Sequence, residues 1–309
     1  MLTVVAHTDI ETAVLLALLN ARPAKMRWPE IASEVALRQS ATALWDEHYP
    51  RGHEAHSDPN GHIAAAVKQL AEWSDADFTL VTVLDAGYPL ALREIHQLPP
   101  VLFVRGNLDP AQIGVSVVGS RDASPRGLDI ASRVAHGLTD RGIAVLSGLA
   151  AGIDTAAHQA AIDRGGRPIG VIGTGINRTY PAQNKQLHMQ VAEAGALVSQ
   201  FWPDAPPNKQ TFPMRNATMS GLGRASVVVE ASEISGARIQ ARVAVEHGRP
   251  VVLSDLVVQK TDWGKSLLGR PGVYEAGSVT EVLGIIDDIL DMPVNTATMA
   301  PSLKDLRLP

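Results

Sequence analysis

Two strand–glycine turn–helix units follow one another within residues 115–157, and they constrain the fold more than any other part of the sequence. The apolar run at 115–118 enters Gly119-Ser120-Arg121, and Val145-Leu146 enters a glycine-rich turn that ends at Asp154. A turn of this kind leaves backbone N–H groups at a helix N-terminus, which is a ready anion site. We therefore predict two anion-binding turns, with Arg121 beside the first.

Strand and helix patterns alternate from residue 115 to residue 290. Strands are predicted at 115–118, 143–147, 168–172, 197–200, 225–230 and 250–253, and helices at 126–141, 154–164, 184–194, 215–222, 236–247 and 278–290. Repeated β-α units of this length predict an α/β fold with a Rossmann-like, doubly wound, mostly parallel sheet. Ligands of such sheets bind at the carboxyl ends of the strands.

The sequence divides into four predicted segments. Residues 1–75 form a small helical N-terminal domain, 76–112 a connecting strand-helix-strand unit, 113–290 the Rossmann-like domain, and 291–309 a flexible tail. No strand or helix is predicted for the segment 254–276.

Composition and charge narrow the functional classes. The chain has 309 residues, no cysteine and a net charge of −5, so disulfides and thiolate chemistry are excluded. The charge is uneven: residues 1–112 hold 8 Lys+Arg and 14 Asp+Glu, whereas residues 113–285 hold 17 and 14. A mildly basic centre is compatible with a nucleic-acid groove. The start resembles no signal peptide and no apolar run reaches membrane length, so we expect a cytoplasmic protein without membrane contact.

Cations and aromatic side chains fall near the predicted rim of the sheet, where five turns converge. The cations are Arg121, Lys185, Lys209 and Arg215, and the aromatic residues are Tyr180, Phe201, Trp202 and Phe212. Positive charge for phosphates and ring faces for bases are the two requirements of single-stranded nucleic-acid binding.

Several polar residues have a structural interpretation beside a functional one. We expect Asp154 to be the N-cap of the helix after the second turn, and His158 to be a packing residue. Glu230 ends a strand and is a candidate general base, but no partner with clear spacing accompanies it. Three histidines, His53, His56 and His62, lie in a polar loop without the framework that a zinc site needs. Neither a dinucleotide fingerprint nor a P-loop occurs, so no cofactor is predicted.

Five ordered motifs resemble the DNA-processing protein A (DprA/Smf) family. They are V-V-G-S-R at 117–121, S-G-L-A-x-G-I-D-x-x-A-H at 147–158, V-I-G-T-G-I-N-x-x-Y-P-x-x-N at 171–184, F-P-x-R-N at 212–216 and V-V-E-A-S-E-x-S-G at 228–236. The resemblance extends over about residues 78–253.

The resemblance implies a non-enzymatic, single-stranded-DNA-binding homodimer that protects DNA and loads the RecA recombinase in natural transformation. It also implies a binding site in which Arg121 is the main phosphate ligand. The implied site residues are Gly119, Ser120, Arg121, Gly148, Gly173, Thr174, Gly175, Lys185, Phe212, Arg215 and Asn216.

The sequence departs from the family pattern in three places, and these keep other functions open. Ala151 stands where the family usually has an arginine, 254–276 lacks the usual pattern, and no C-terminal winged-helix domain is recognised. The alternatives are a nucleotide-binding sensor or phosphoribohydrolase-like enzyme of the related superfamily, and an interaction scaffold. The phosphoribohydrolase motif P-G-G-x-G-T-x-x-E does not occur in the sequence.

Overall fold

A single mixed sheet forms the centre of the molecule. The computed structural model describes residues 7–50 and 58–291, and within them the sheet has nine strands. Their bounds are β1 Thr79–Thr82, β2 Val101–Gly106, β3 Gly114–Val118, β4 Ala144–Ser147, β5 Ile169–Val171, β6 Ala196–Ser199, β7 Ala225–Val228, β8 Val251–Ser254 and β9 Val273–Ala276.

The strand order defines where a ligand can bind. Across the sheet the order is β1-β2-β6-β5-β4-β3-β7-β8-β9. The strands from β6 to β9 in this spatial order are all parallel to one another. At one edge, β2 pairs antiparallel with β6, and β1 pairs antiparallel with β2. The chain winds outward from β3 in one direction up to β6, and then crosses back to place β7 on the other side of β3. The reversal leaves a crevice between the loops after β3 and β7, which is the usual ligand position in open α/β sheets.

Helices cover both faces of the sheet. Those described are α1 His7–Ala21, α2 Trp28–Arg38, α3 Ala41–His48, α4 His62–Trp73, α5 Pro125–Asp140, α6 Ile153–Asp163, α7 Lys185–Ala194, α8 Thr211–Leu222, α9 Gly236–Glu246, α10 Asp255–Lys260, α11 Asp262–Leu267 and α12 Val279–Asp291. One core contains α5, α6 and α12, and the other contains the N-terminal helices with α7 to α11.

Alternating strand residues supply the two cores. Val115 and Val117 of β3 point into the core of α5, α6 and α12, whereas Val118 belongs to the opposite core. Strands buried on both faces read as continuous apolar runs, because neither set of side chains meets water. This is why the central strands could be recognised from their valines, and the predicted α/β fold with a mostly parallel sheet is confirmed.

The predicted element boundaries differ from the structure mainly at two places. Helix α8 begins at Thr211, four residues before the predicted start at 215. Residues 212–216 were predicted to be one of the turns after the strands, but they lie in the first turns of α8. Pro213 is compatible with this position, because the first turn of a helix requires no intrahelical N–H bond. The segment 254–276, for which no element was predicted, forms α10, α11 and the edge strand β9.

The N-terminal helices and the 76–112 segment share one core with the central sheet. Buried residues of α1, α2 and α3 belong to the same apolar cluster as β2, β5 and β6. Strands β1 and β2 extend the sheet by pairing antiparallel to each other and to β6, with Phe103 opposite Ser199. The short 3₁₀ helix Leu90–Glu94 connects them.

Some sequence predictions fall outside the described residues. These are the histidines at positions 53 and 56 and, apart from Asp291, the tail at 291–309. His62 is the first residue of α4, and its ring meets Trp45 edge-on at 6.5 Å between centroids. Within residues 7–50 and 58–291, no helix is both long and apolar enough to cross a bilayer.

Helix α5 offers a test of which leucines carry its packing. Leu138 is fully buried, while Leu128 is 36% exposed. We expect Leu138→Ala to lower the free energy of unfolding by about 2–5 kcal/mol, because it leaves a cavity. Leu128→Ala should cost clearly less. Urea denaturation measures both, and equal losses would contradict the assigned packing.

Candidate nucleic-acid interface

Two adjoining cavities occupy the crevice at the carboxyl ends of the central strands. The first, which we call the β3–β7 cavity, has a volume of about 490 Å³ and lies between the loops after β3 and β7 and helix α8. The second, the β4–β5 cavity, measures about 180 Å³ and lies between the loops after β3, β4 and β5. Four residues line both: Arg121, Ala150, Phe212 and Arg215. Together the cavities form the groove.

The first glycine turn is fixed through its backbone. The Ser120 N–H donates to the Glu230 carbonyl at 2.7 Å, and the Ser120 carbonyl accepts from the Ile153 N–H at 3.2 Å. The conformation depends on Gly152, whose φ is +76° and where a Cβ would lie 2.3 Å from the Ser120 carbonyl oxygen. The turn therefore presents Arg121 on a rigid support.

Arg121 is the cation that the groove presents to solvent. Its side chain is exposed and lines both cavities. Among the described residues it makes neither an ion pair nor a side-chain hydrogen bond, whereas the arginines at 105, 126, 141, 164 and 249 each pair with a carboxylate. An arginine without an internal partner keeps its full hydrogen-bonding capacity for an external anion.

The N-terminus of α5 is not the open anion site that the sequence predicted. The Glu230 carboxylate accepts hydrogen bonds from the Ser124 N–H at 2.9 Å and the Ser124 hydroxyl at 2.8 Å, and Lys260 Nζ lies 3.0 Å from its other oxygen. Burial raises the pKa of this carboxyl, but the hydrogen bonds from Lys260 and Ser124 outweigh burial and hold it below its usual value. The protein thus places its own carboxylate where an external anion was expected.

The second turn is occupied in the same way, and the prediction that Asp154 is an N-cap is wrong. Helix α6 begins at Ile153, with Gly152 at the N-cap position. Asp154 is buried, and its carboxylate accepts from the N–H groups of Gly148 at 3.0 Å and Ala150 at 3.4 Å. Burial raises the pKa of Asp154, although the nearby Arg215 and the hydrogen bonds from these N–H groups act in the opposite direction. The Asp154 carboxylate thus accepts hydrogen bonds from N–H groups that an external anion was expected to use.

Arg215 is a buried cation under the groove. Its Nη1 donates to the Val171 carbonyl at 2.8 Å, and its Nε has no hydrogen-bond partner among the described residues. Burial lowers the pKa of the guanidinium, while the Asp154 carboxylate counteracts this shift. The guanidinium fits against Gly148 so closely that a Cβ there would lie 1.6 Å from Nη1. Gly148 is therefore needed for the close approach of this side chain.

The β4–β5 cavity has an aromatic wall. The rings of Tyr180 and Phe212 lie 5.5 Å apart, and Tyr180 is 39% exposed. Phe212 packs on Gly173, where a Cβ would lie 2.7 Å from its ring. The Thr174 hydroxyl donates to the Arg178 carbonyl at 3.1 Å, which closes the turn after β5.

Most of the predicted site residues line the groove. These are Gly119, Ser120, Arg121, Gly148, Gly173, Thr174, Phe212, Arg215 and Asn216. Gly175 instead packs under the carbonyls of Trp202 and Pro203, and Lys185 is exposed at the start of α7 without lining either cavity. Trp202, expected as groove surface, packs edge-on against Trp28 at 5.2 Å. Its aromatic surface is used to attach the N-terminal helices.

The residues on the α9 side of the groove are not among the predicted site residues. Ser232, Ile234 and Ser235 of the loop after β7 line the β3–β7 cavity, as does Gln240 of α9. Gln240 is only 1% exposed although its neighbours on the buried face are alanines and Val243. A lone amide on an otherwise apolar helix face was the available signal.

His158 is fully buried in α6, as expected for a packing residue. Burial lowers its pKa to about 3, so the ring is neutral near pH 7. The described residues contain no group of three or more histidine, aspartate or glutamate side chains that could hold a metal ion.

The family of the chain follows from comparison with known sequences. Residues 79–283 match the family described as DNA recombination-mediator protein A, and this match spans every strand of the sheet. This family description is compatible with the structure, which has a Rossmann-like sheet with glycine turns and an exposed arginine at its switch point. The class is that of proteins that process nucleic acids. The chain belongs to the DNA recombination-mediator protein A family.

Individual relatives support this membership. The DNA processing protein DprA of Streptococcus pneumoniae is 42% identical over 175 residues, which cover 56% of this chain and 62% of that protein. Protein Smf of Synechocystis is 40% identical over 187 residues, which cover 59% of this chain and 47% of the relative. The chain thus spans about half to three fifths of the length of these relatives.

Two solved structures have the same fold. The S. pneumoniae DprA structure aligns with a TM-score of 0.64 and 31% identity over 89% of this chain and 92% of that one. A Helicobacter pylori DNA processing protein A, whose structure concerns its single-stranded DNA binding mode, aligns with a TM-score of 0.61 and 21% identity. It covers 68% of this chain and 97% of its own.

The role of Glu230 as an internal anchor predicts a pH-dependent stability difference. Because the folded-state pKa of Glu230 lies below the ordinary value of 4.5, its ionised form stabilises the fold above that pH, and this is lost as the pH falls through the folded pKa. We expect Glu230→Gln to cost about 1–3 kcal/mol near pH 7 and progressively less below pH 4.5. Urea denaturation across this pH range measures it. The exposed Glu193→Gln is the control, and a pH-independent difference for Glu230→Gln would contradict the anchor.

The contact between Gly148 and Arg215 predicts a second effect on stability. We expect Gly148→Ala to displace the guanidinium from the Val171 carbonyl and lower the free energy of unfolding by about 1–3 kcal/mol. Gly284→Ala in α12, where a Cβ meets nothing within 4 Å, should instead raise it by about 0.5–1 kcal/mol through helix propensity. Thermal unfolding of both variants is the measurement. Unchanged stability in Gly148→Ala would mean that Arg215 has room to move.

Proposed function

We propose that this chain is a single-stranded-DNA-binding recombination mediator that protects DNA, loads a RecA recombinase and acts as a homodimer without being an enzyme. The observation that carries the DNA-binding part is Arg121, an exposed arginine without an internal partner at the switch point of the sheet. The oxygens of a phosphate at this position would accept hydrogen bonds from the guanidinium N–H groups, whose planar arrangement matches phosphate geometry.

The groove around Arg121 has the chemistry that a single strand requires. Tyr180 and Phe212 supply ring faces beside the cation, and Arg215 adds a fixed positive charge beneath them. Bases stack on such rings with little sequence preference, while the backbone is held by charge. A flexible strand can follow the curved floor formed by the glycine turns, where side chains are missing.

The two buried carboxylates at the groove favour binding over catalysis. Glu230 is engaged by Ser124 and Lys260, and Asp154 by the N–H groups of its own turn. A general base must be free to take a proton from a substrate within hydrogen-bond reach. Both carboxylates serve the protein's internal structure, which supports a role without acid–base chemistry.

The description of the matching family and that of one solved relative support the proposal. The H. pylori structure concerns single-stranded DNA binding, and the matching family is described as a recombination mediator. The RecA and homodimer parts rest on the family resemblance of the motifs. The recombinase is thus a proposed partner, together with single-stranded DNA and a second copy of the chain.

The proposed role of Arg121 predicts a loss of electrostatic binding. We expect Arg121→Ala to weaken binding to a single-stranded oligonucleotide about tenfold at low salt, since a charge-assisted hydrogen bond to phosphate is lost. The dependence of log K on log salt should become shallower by about 0.7, the contribution of one phosphate contact in a single strand. Fluorescence anisotropy titrations at several salt concentrations measure both quantities.

Arg133→Ala is the matched control, because it removes the same charge from an exposed position on α5. Its affinity and salt dependence should stay close to those of the unchanged protein. If Arg121→Ala bound with unchanged affinity and salt dependence, the proposed phosphate site would be overturned.

A further inference from the structure

One buried residue anchors the exposed segment that carries Tyr180. Residues 177–186 follow the turn after β5, and the structure describes this segment throughout. Its residues are exposed or half-buried, with Tyr180 39% exposed, except for Asn184, which is 9% exposed. A polar side chain that is buried normally has hydrogen-bond partners. The partners of Asn184 therefore show what holds this part of the segment in place.

Both partners of the Asn184 amide nitrogen belong to the second glycine turn and the helix that follows it. Nδ2 donates to the Leu149 carbonyl at 2.8 Å and to the Thr155 hydroxyl at 3.0 Å, so both N–H groups of the amide are used. The Thr155 hydroxyl donates in turn to the Ala150 carbonyl at 2.8 Å. The amide therefore ties together two loops that lie 35 positions apart in the chain.

The turn that Asn184 holds is strained. Leu149 is fully buried and has a φ of +56°, a left-handed conformation that costs free energy for a residue other than glycine. The N–H groups on either side of it bond to Asp154, and its carbonyl bonds to Asn184. Strain of this kind persists only where the surrounding contacts fix the backbone. The hydrogen bond from Asn184 is one of those contacts.

The two loops that Asn184 joins form different parts of one wall. Gly148 and Ala150 of the second turn line the β4–β5 cavity, and so do Tyr180 and Gln183 of the exposed segment. Asn184 itself lines neither cavity. Its amide thus fixes the position of the Tyr180 ring relative to the second turn without reaching the ligand space.

We propose that Asn184 is a positioning residue for DNA binding, whose amide holds the ring of Tyr180 where a base of the bound strand stacks on it. The proposal rests on the proposed DNA-binding function and adds to it a residue that acts through another. Arg121 belongs to the first turn, and neither hydrogen bond of the Asn184 amide nitrogen reaches that turn. The phosphate contact is therefore independent of the tie, and the stacking contact depends on it.

A fluorescent strand separates stacking from the phosphate contact. The probe is an oligothymidylate that carries one fluorescent aminopurine, whose emission is quenched when its ring stacks on an aromatic side chain. With the full chain in excess, we expect Asn184→Ala to bind about three- to tenfold more weakly and to quench less at saturation. Its dependence of log K on log salt should stay unchanged, because the phosphate contact is retained. Arg121→Ala should show the opposite pattern, a shallower salt dependence with quenching retained at saturation.

A double-mutant cycle shows whether Asn184 acts through Tyr180. Tyr180→Leu removes the ring and should weaken binding about tenfold, with most of the quenching lost. In that background Asn184→Ala should add less than about a twofold loss, because the residue that it positions is already absent. Losses that multiply would mean that Asn184 acts elsewhere, and the proposal would be wrong.

Two variants guard against an effect of misfolding. Thr155→Val keeps the shape of the side chain but removes the hydroxyl that accepts from Asn184, and it should show the same pattern with a smaller amplitude. Asn60→Ala removes an exposed amide from the turn before α4 and should behave like the unchanged protein. If Asn184→Ala fails to fold, Thr155→Val decides, and unchanged affinity and quenching in that variant would overturn the tie.

The outcomes distinguish this inference from the proposed function. If the unchanged protein bound no oligonucleotide, the proposed function would fail, and this inference with it. If the strand bound without quenching, no base would stack on Tyr180 and the positioning role would be overturned. If Arg121→Ala weakened binding as expected, while Asn184→Ala either kept its full quenching or flattened the salt dependence, only the positioning role would fail.

Discussion

The carboxylate of Glu230 joins the elements that frame the groove. It accepts from Ser124 at the start of α5 and from Lys260 at the end of α10, while its own backbone carbonyl accepts from Ser120 in the first glycine turn. A charged carboxylate is costly to bury unless it is paired and hydrogen-bonded, so the contacts from Lys260 and Ser124 keep Glu230 ionised in this position. The turn that carries Arg121 is thereby fixed between β7 and α5. This explains why an exposed cation on a loop can have a defined direction.

Asp154 and Arg215 have a similar relation beneath the second turn. Each would be costly to bury alone, and each reduces the cost for the other through their opposite charges. Asp154 also gathers the N–H groups of Gly148 and Ala150, which turns the loop over the guanidinium. Positive charge is thus divided between two arginines with different tasks. Arg215 shapes the floor from below, and Arg121 remains available to a ligand.

The sequence allowed the fold and most of the groove to be predicted because both depend on short-range patterns. Valine runs such as 227–229 mark strands buried on both faces, and parallel strands bring the glycine turns to one rim. The occupants of the helix N-termini were not predictable in this way. Glu230 is more than one hundred positions from Ser124, and only the strand order places them together. A pattern that indicates an anion site does not tell whether the anion belongs to the protein.

The same limit applies to Trp202 and Gln240. Trp202 follows the strand β6 near the rim, and its direction is decided by Trp28, which lies 174 positions earlier in the chain. Gln240 was hidden because its periodic position is that of a core residue, and only burial without a partner distinguishes it from one. Residues with a local signal could be assigned, whereas residues defined by distant partners required the structure.

The packing of Trp202 also gives the N-terminal helices a role in the groove. Its ring lies between Trp28 of α2 and Trp73 of α4, at 5.2 and 6.1 Å. The backbone after Trp202 bonds to the turn that follows β5. The Pro203 carbonyl accepts from the Asn177 N–H at 2.9 Å, and the Ala205 carbonyl accepts from the Gly175 N–H at 2.9 Å. These bonds hold the turn after β5, which includes Gly173 and Thr174 of the β4–β5 cavity. The aromatic anchor therefore transmits the position of the N-terminal helices to the groove. Gly175 and Trp202, which line neither cavity, support the site from behind.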